Sequence, residues 1–330
     1  MTITTSAPPA RPARRVARML LVWLLVLPAL AWAVLRLGGW ERGPLVQLFA
    51  FTPYAVVAAV IPALVALLFR RWLAASVAVV AVAILAVSVL PRVLPDHDRG
   101  PTVGVELHVM TGNMLEGGAD PAAIVELVRS HDIALLALQE FTPAARDRLT
   151  AAGLDTLLPY SSLTPEEDTT GSAIYSRFPV TAPGAHRNGG GFQQAYGTIQ
   201  PPGAGPLLVE SAHPLAPFDL AALKDWHADL QNEPHADPSS TPRILLGDFN
   251  STLDHAPLRA LIAHGYRDAA DADGAGLIGT WGPYDGDPIP PVTIDHVLVD
   301  RRIGVRDVQV HGLPRSDHRA VLAWLIVPTA

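Results

Sequence analysis

The chain has 330 residues, a net charge of −7, no cysteine and one lysine, Lys224. Without cysteine there are no disulfides, no thiolate metal site and no cysteine nucleophile. Residues 1–95 carry nine arginines and one acid, Glu41, which leaves 15 basic and 30 acidic residues beyond them; so acidic a region disfavours long polyanions as partners unless cations offset it.

Residues 1–18 are rich in Ser, Thr, Pro and Ala, contain Arg11, Arg14, Arg15 and Arg18, and read as a disordered basic arm. Apolar stretches follow at 19–35, 45–69 and 72–90, with Trp23, Trp40 and Trp72 near their ends. This pattern predicts an all-α membrane domain over 19–90 with three transmembrane helices. A cleaved signal peptide is the rival account of the first stretch, with a poor site at Ala31-Trp32-Ala33. The arginines of the arm and the Arg70-Arg71 pair place the N-terminus in the cytoplasm. An odd number of spans then carries everything after residue 96 to the extracellular side of the cell membrane. Residues 91–101 (PRVLPDHDRGP) read as a linker.

Over 102–330 the pattern alternates between buried strands and amphipathic helices. Strands are predicted at 103–110, 133–138, 172–175, 207–211, 243–246, 296–299 and 320–326, and helices at 121–130, 143–152, 218–230 and 257–264. The domain is of the α/β (α+β) class and large enough for one core.

Polar groups sit at the ends of several of these apolar runs. Glu140 closes IALLALQE and suits a hard cation such as Mg²⁺, which takes carboxylate oxygen. In Gly247-Asp248-Phe249-Asn250 the glycine permits close approach to a ligand, the aspartate can act as base toward water, and the asparagine can bond a phosphate oxygen without adding charge. Ser316-Asp317-His318 precedes the last strand and Asp295-His296 opens the one before it; a histidine oriented by a buried aspartate is a stronger proton acceptor. Asn113 in VMTGNML and His213 in LLVESAH also terminate strands. Trp281 and Tyr284 lie in a Pro/Gly-rich loop and are candidates to line a substrate pocket.

Taken in this order over residues 103–327, these motifs resemble the endonuclease/exonuclease/phosphatase superfamily, the DNase I-like fold. That resemblance implies a four-layer sandwich of two packed β-sheets with helices outside, and Mg²⁺-dependent hydrolysis of phosphate esters, with Mn²⁺ as an alternative ion. Glu140, Asn113 and Asp317 match its metal-site residues. Asp248 and Asn250 match the pair that activates water and holds the scissile phosphate, which makes Asn250 and His213 substrate-binding as well. His318 matches the transition-state histidine, Asp295 the aspartate that orients it, and His213 the second histidine of the DNase I and sphingomyelinase branches. In those branches an upstream acid orients the second histidine, and Glu166, Glu167 and Asp168 are the nearest candidates. Leu115 stands where the abasic-endonuclease branch has an aspartate, so that branch's metal geometry is not expected.

The function expected is phosphodiester hydrolysis, nuclease-like, by in-line attack of water at the outer side of the membrane. Its substrate is a nucleic acid, a phospholipid or a small phosphoester, and lipid is met through the transmembrane helices; no protein partner is implied. The alternatives are a phospholipid head-group or small phosphomonoester hydrolase of the same superfamily, and a catalytically silent, membrane-tethered binding domain. A calcineurin-type two-metal phosphoesterase is disfavoured, because a GNH-type motif and further histidine ligands are missing from the sequence.

Overall fold

The computed structural model describes residues 11–283 and 288–330. The chain divides into two units, one from Met1–Trp40 and Phe51–Leu90, the other from Glu41–Ala50 and Pro91–Ala330. Tyr284 lies outside the described residues.

The first unit holds α1 (Arg11–Leu37), α3 (Thr52–Leu68) and α4 (Trp72–Val89), while α2 (Leu45–Phe49) belongs to the second. The helix already runs from Arg11, within the arm expected over 1–18. Two stretches, Val16–Leu37 and Trp72–Val93, are long and apolar enough to cross a membrane. The three spans predicted from sequence are therefore corrected to two. The apolar run 45–69 breaks after α2, where Phe51 caps a new helix and Pro53 sits in its first turn. What remains, α3, has 17 residues; at ~1.5 Å rise per residue it falls short of a ~30 Å hydrocarbon core. Ala74, Ala75 and Ala78 of α4 cluster with Val22 and Val26 of α1 and Ala63 and Ala66 of α3, small side chains that let helix backbones approach. Large apolar groups such as Leu24, Leu68 and Val87 stay exposed, at 70%, 78% and 75%.

The second unit is built on two six-stranded sheets. The first runs β11 (Gly304–Gly312), β12 (Arg319–Val327), β1 (Val105–Asn113), β2 (Leu135–Gln139), β4 (Ser172–Ser176), β3 (Tyr160–Thr164). The second runs β5 (Thr181–Arg187), β6 (Gln193–Ile199), β7 (Leu207–Ala212), β8 (Arg243–Asp248), β10 (Asp295–Asp300), β9 (Tyr266–Asp268). Each has a parallel pair at its centre, β1 with β2 and β7 with β8, and antiparallel pairs elsewhere. Parallel neighbours need a crossover, supplied by α5 (Pro121–Ser130) and α8 (Leu223–Asn232). Asp120 caps α5 by accepting from the Ala122 and Ala123 amides.

Side chains alternate across each strand, so both sheets are apolar on both faces. Val109, Ala137 and Ala323 of the first sheet meet Val209, Leu246 and Val297 of the second in one inter-sheet core. The outer face of the first sheet, including Met110 and Leu136, packs on α5, α6 (Pro143–Ala151) and α7 (Leu154–Leu157). The outer face of the second, including Leu245 and Leu298, packs on α8 and α9 (Ala256–Ala263), with Val46 of α2 in the same cluster. These are the four layers implied by the sequence motifs. The segment 91–101, predicted to be a linker, is fastened to this unit: the Asp96 amide donates to the Ala272 carbonyl of α10 (Ala269–Asp273), the Arg99 carbonyl accepts from the Val305 amide, and Arg99 pairs with Asp273.

Gly247 has a different role from the ligand approach its motif suggests. A Cβ built on it would lie 1.9 Å from the Ala212 carbonyl oxygen on β7, so the glycine is required by the neighbouring strand. Gly247→Ala should therefore cost about 1–3 kcal/mol of stability or more through overpacking. Denaturant unfolding of the full chain in detergent measures this, and an unchanged midpoint would contradict it.

Candidate active site

The C-terminal ends of the four central parallel strands carry Asn113 (β1), Glu140 (after β2), His213 (after β7) and Asp248 (β8). The antiparallel neighbours start at the same edge: Asp295 opens β10 directly opposite Asp248, and His318 immediately precedes β12. Two sheets packed face to face thus deliver strand ends from both sides to one place. Rigid strand termini are suited to holding such a constellation.

Asp248 is the hub. It is 1% exposed, and its Oδ2 accepts from Asn113 Nδ2 at 3.0 Å while its Oδ1 accepts from the Asn250 amide at 2.8 Å. Asn113 Nδ2 also donates to Glu140 Oε1 at 3.0 Å, tying the two carboxylates together. Glu140 Oε2 accepts from the Glu116 amide at 2.6 Å, made available by a turn in which Leu115 and Glu116 both have positive φ. Leu115 supplies only a backbone N–H, to Asn113 Oδ1 at 2.9 Å. Glu140 (φ 54°) and Asn250 (φ 47°) are themselves left-handed, conformations that non-glycine residues hold at a cost and that cluster at functional sites.

His318 stands between two aspartates. Its Nδ1 faces Asp295 Oδ2 at 2.9 Å, and its Nε2 lies 3.6 Å from Asp248 Oδ2 and 4.0 Å from Asp317 Oδ1. Burial opposes a charge on this ring, but Asp295, Asp248 and Asp317 override it and raise its pKa to about 10. Asp295 is held in turn by Thr280, whose Oγ1 accepts from both the Ile294 and Asp295 amides. Ser316 closes the motif: its Oγ donates to the Asn113 carbonyl and accepts from the His318 amide. The neighbouring His296 points to the other face of β10, as strand alternation requires. There it meets Asp268 at 2.6 Å and the Ser251 carbonyl at 2.8 Å, a structural role.

His213 is buried, with Nε2 3.8 Å from Asp248 Oδ2. Burial, reinforced by His318, lowers its pKa to about 3, so it is neutral. None of Glu166, Glu167 and Asp168 orients it; Glu166 is engaged by Thr170, Arg187 and Gln193. Its Nδ1 has no partner among the described residues, and its position is set by its amide, which donates to Gln194 Oε1 at 2.7 Å. Asn250 Nδ2 donates to the Pro214 carbonyl at 3.0 Å, so the loop after His213 engages one of its two amide hydrogens. Trp281 Nε1 donates to Asp317 Oδ2 at 2.8 Å, which makes the tryptophan a partner of a site carboxylate.

Asp248, Asp295 and His318 offer ligand atoms that all lie within 4.8 Å of one another. The His318–Asp295 bond marks that trio as an imidazole held by carboxylates rather than a cation cage. Spare capacity for a hard cation lies instead with Asp317, whose Oδ1 is buried without a partner, and with Glu140, whose carboxyl burial pushes up. No arginine or lysine among the described residues pairs with any of the four site carboxylates. An oxygen-rich, under-neutralised cluster of this kind fits a divalent cation.

Thr280, Gln194 and Ser316 were the positioning residues that sequence reasoning missed or left unassigned. Ser316 opens the Ser316-Asp317-His318 motif and Thr280 adjoins Trp281, but neither was given a role, and Gln194 carried no signal.

The chain matches the model of the Endonuclease/Exonuclease/phosphatase family over residues 110–318. No curated protein matches it. Among solved structures it is similar to an endonuclease/exonuclease/phosphatase from Beutenbergia cavernae, at 17% identity, covering 68% of this chain and 72% of that one with a TM-score of 0.52. An endonuclease/exonuclease/phosphatase family protein from Leptotrichia buccalis is similar at 15% identity, 66% and 99% coverage and a TM-score of 0.53. The 3′ phosphatase NExo from Neisseria, solved bound to a product DNA hairpin, is similar at 19% identity, 66% and 98% coverage and a TM-score of 0.53. At these identities the likeness is one of fold.

Because carboxylates hold the charge on His318, Asp295→Asn should bring its pKa down from about 10 toward the ordinary imidazole range. NMR titration of the labelled ring in the metal-free protein reads this directly; an unmoved midpoint would show that Asp295 does not set the charge.

Proposed function

The chain belongs to the endonuclease/exonuclease/phosphatase family, and from that premise we propose a membrane-anchored, Mg²⁺-dependent phosphodiesterase, nuclease-like in its chemistry. The observation that carries it is His318, held by Asp295 and facing Asp248, which Asn113 links to Glu140. Glu140 and Asp317, with Asn113 steering Glu140, would hold Mg²⁺ or Mn²⁺, which when bound neutralises charge on a phosphate oxygen.

The chain's own groups divide the proton chemistry. Asp248, fixed by the Asn113 side chain and the Asn250 amide, takes a proton from the water that attacks phosphorus. Protonated His318 gives its Nε2 proton to the leaving oxygen as the P–O bond breaks. Its raised pKa keeps it protonated near neutral pH, as a proton donor and as a cation beside developing negative charge. Neutral His213 and Asn250 serve as hydrogen-bonding groups for the non-bridging oxygens.

Anchoring is supported by the two apolar stretches, Val16–Leu37 and Trp72–Val93. With two spans the basic arm and the domain that follows α4 fall on the same side of the membrane, so the outer-side placement, which needed an odd number of spans, no longer follows. One observation favours a phospholipid head group as the alternative substrate. Phe218 and Leu220, 69% and 63% exposed, follow closely on Pro214, whose carbonyl Asn250 binds.

Purified full chain in detergent should hydrolyse bis(p-nitrophenyl) phosphate with Mg²⁺ and lose the activity in EDTA. Asp248→Ala and His318→Ala should each cost about 10²- to 10⁴-fold in kcat. Full activity after Asp248→Ala would sink the assignment. Nicking of supercoiled plasmid against head-group release from phospholipid vesicles separates the two substrate classes.

A further inference from the structure

The loop from Asp248 to α9 carries Asn250, and much of what fastens its far end lies outside the 102–330 region. Arg92, 6% exposed, donates from Nη1 to Asp254 Oδ2 at 2.8 Å and from Nη2 to Asp254 Oδ1 at 2.7 Å, and Asp254 is fully buried. His255 Nδ1 accepts from the Thr252 amide at 2.8 Å, so the ring proton is on Nε2, which donates to the Val46 carbonyl at 2.7 Å. At the start of α9 the Ala256 amide donates to Glu41 Oε1 at 2.6 Å. Val46 packs in the apolar cluster that holds Phe249, Leu253 and Leu258. Gln47 Nε2 donates to the Pro217 carbonyl at 2.7 Å, on the loop whose Pro214 carbonyl accepts from Asn250.

These partners come from two short segments, 41–50 and the residues just after α4, that belong to the same unit as the site. In the sequence each is continuous with an apolar helix. Ordinary packing of a terminal extension would bury apolar side chains against the domain surface. Here a bidentate ion pair and a buried histidine end on one six-residue stretch, Asn250–His255, directly after the hub aspartate. A buried charge pair costs desolvation and is strongly destabilising to break from one side. Residues 96–99 are tied to α10 and β11 as well, but the buried ion pair falls on this loop, and that is what calls for an explanation.

We propose that Arg92 and the 41–50 segment are positioning elements of the hydrolytic site, clamping the Asn250 loop so that Asn250 and Asp248 face the phosphate together. The proposal rests on the phosphoesterase reading of Asn250. A loop shifted by about 1 Å is enough to cost on the order of 10²-fold in rate.

The test uses the full chain in detergent, with Arg92→Ala, the milder Arg92→Lys, and Arg92→Ala combined with Asp254→Ala. Two readouts are taken: kcat and KM on bis(p-nitrophenyl) phosphate, and hydrogen exchange of the backbone amides. Arg92→Ala should lower kcat about 10- to 100-fold with little change in KM, Arg92→Lys should recover part of it, and the double variant should lose no more than the single. Exchange should rise at residues 250–256 and stay unchanged in β1 and β2. Unchanged kcat and unchanged loop exchange in Arg92→Ala would overturn the proposal, as would exchange rising across the whole domain, which marks a general stability residue. Should Arg92→Ala fail to fold, Arg92→Lys decides by the same two readouts. If the unmodified chain hydrolyses nothing, the phosphoesterase reading falls, and loop exchange alone still decides whether the clamp exists.

Discussion

Asp248 imposes the constraint on which the rest of the site depends: a carboxylate kept in the interior at the end of a central strand, paired with no arginine or lysine among the described residues. Burial pushes such a group toward its neutral form. Burial, with Asp295 beside it, raises its pKa to about 7 against the pull of the charge on His318, the Asn250 amide and the Asn113 side chain, so it exchanges a proton near neutral pH. Each of those partners needs its own support. Asn113 is steered by the Leu115 amide, Asn250 by the Pro214 carbonyl, His318 by Asp295, and Asp295 by Thr280. The network is high-stakes in the sense that a half-satisfied version would be worse than none.

The two sheets meet that constraint through their topology. Parallel pairs at both centres send four strand ends in the same direction, and the antiparallel strands beside them begin where those end. The inter-sheet core is made of small and medium apolar groups, many of them alanine and valine, which keeps the sheets close enough for Asn113 of one to bond Asp248 of the other. The left-handed backbones of Glu140 and Asn250 turn the chain sharply at the strand ends, so that the carboxylate and the amide stay at the site rather than following the loop outward.

What the sequence could disclose follows from burial. The strands legible in it are interior ones, buried on both faces and therefore written as apolar runs: β2 and β4 are buried at every position. The edge strands β3, β5, β9 and β11 escaped, because an edge needs polar residues, and β5 has no buried position at all; the interior β6 escaped too, because Gln193, Gln194, Tyr196 and Thr198 interrupt its apolar pattern. The site residues were legible for a related reason, since a polar group closing an apolar run is conspicuous. Their partners were not: Gln194, Thr280 and the carbonyls of Pro214 and Val46 are reached only through the fold. Gly247 was noticed for the right property and given the wrong neighbour, because which backbone a glycine admits depends on strand order. The second apolar stretch misled because hydropathy averages over a helix break that proline and a non-helical Phe51 create.

The second unit is discontinuous, with α3 and α4 intervening between its residue 50 and its residue 91. Val46 and His255 are separated by 209 positions. As the chain emerges from the ribosome, Val46 therefore waits for His255, and Glu41 for the Ala256 amide, until the start of α9 has been made. Contacts so distant in sequence close late, because the entropy of the intervening loop must be overcome before they form. The piece of the catalytic unit synthesised first is thus among the last to be secured.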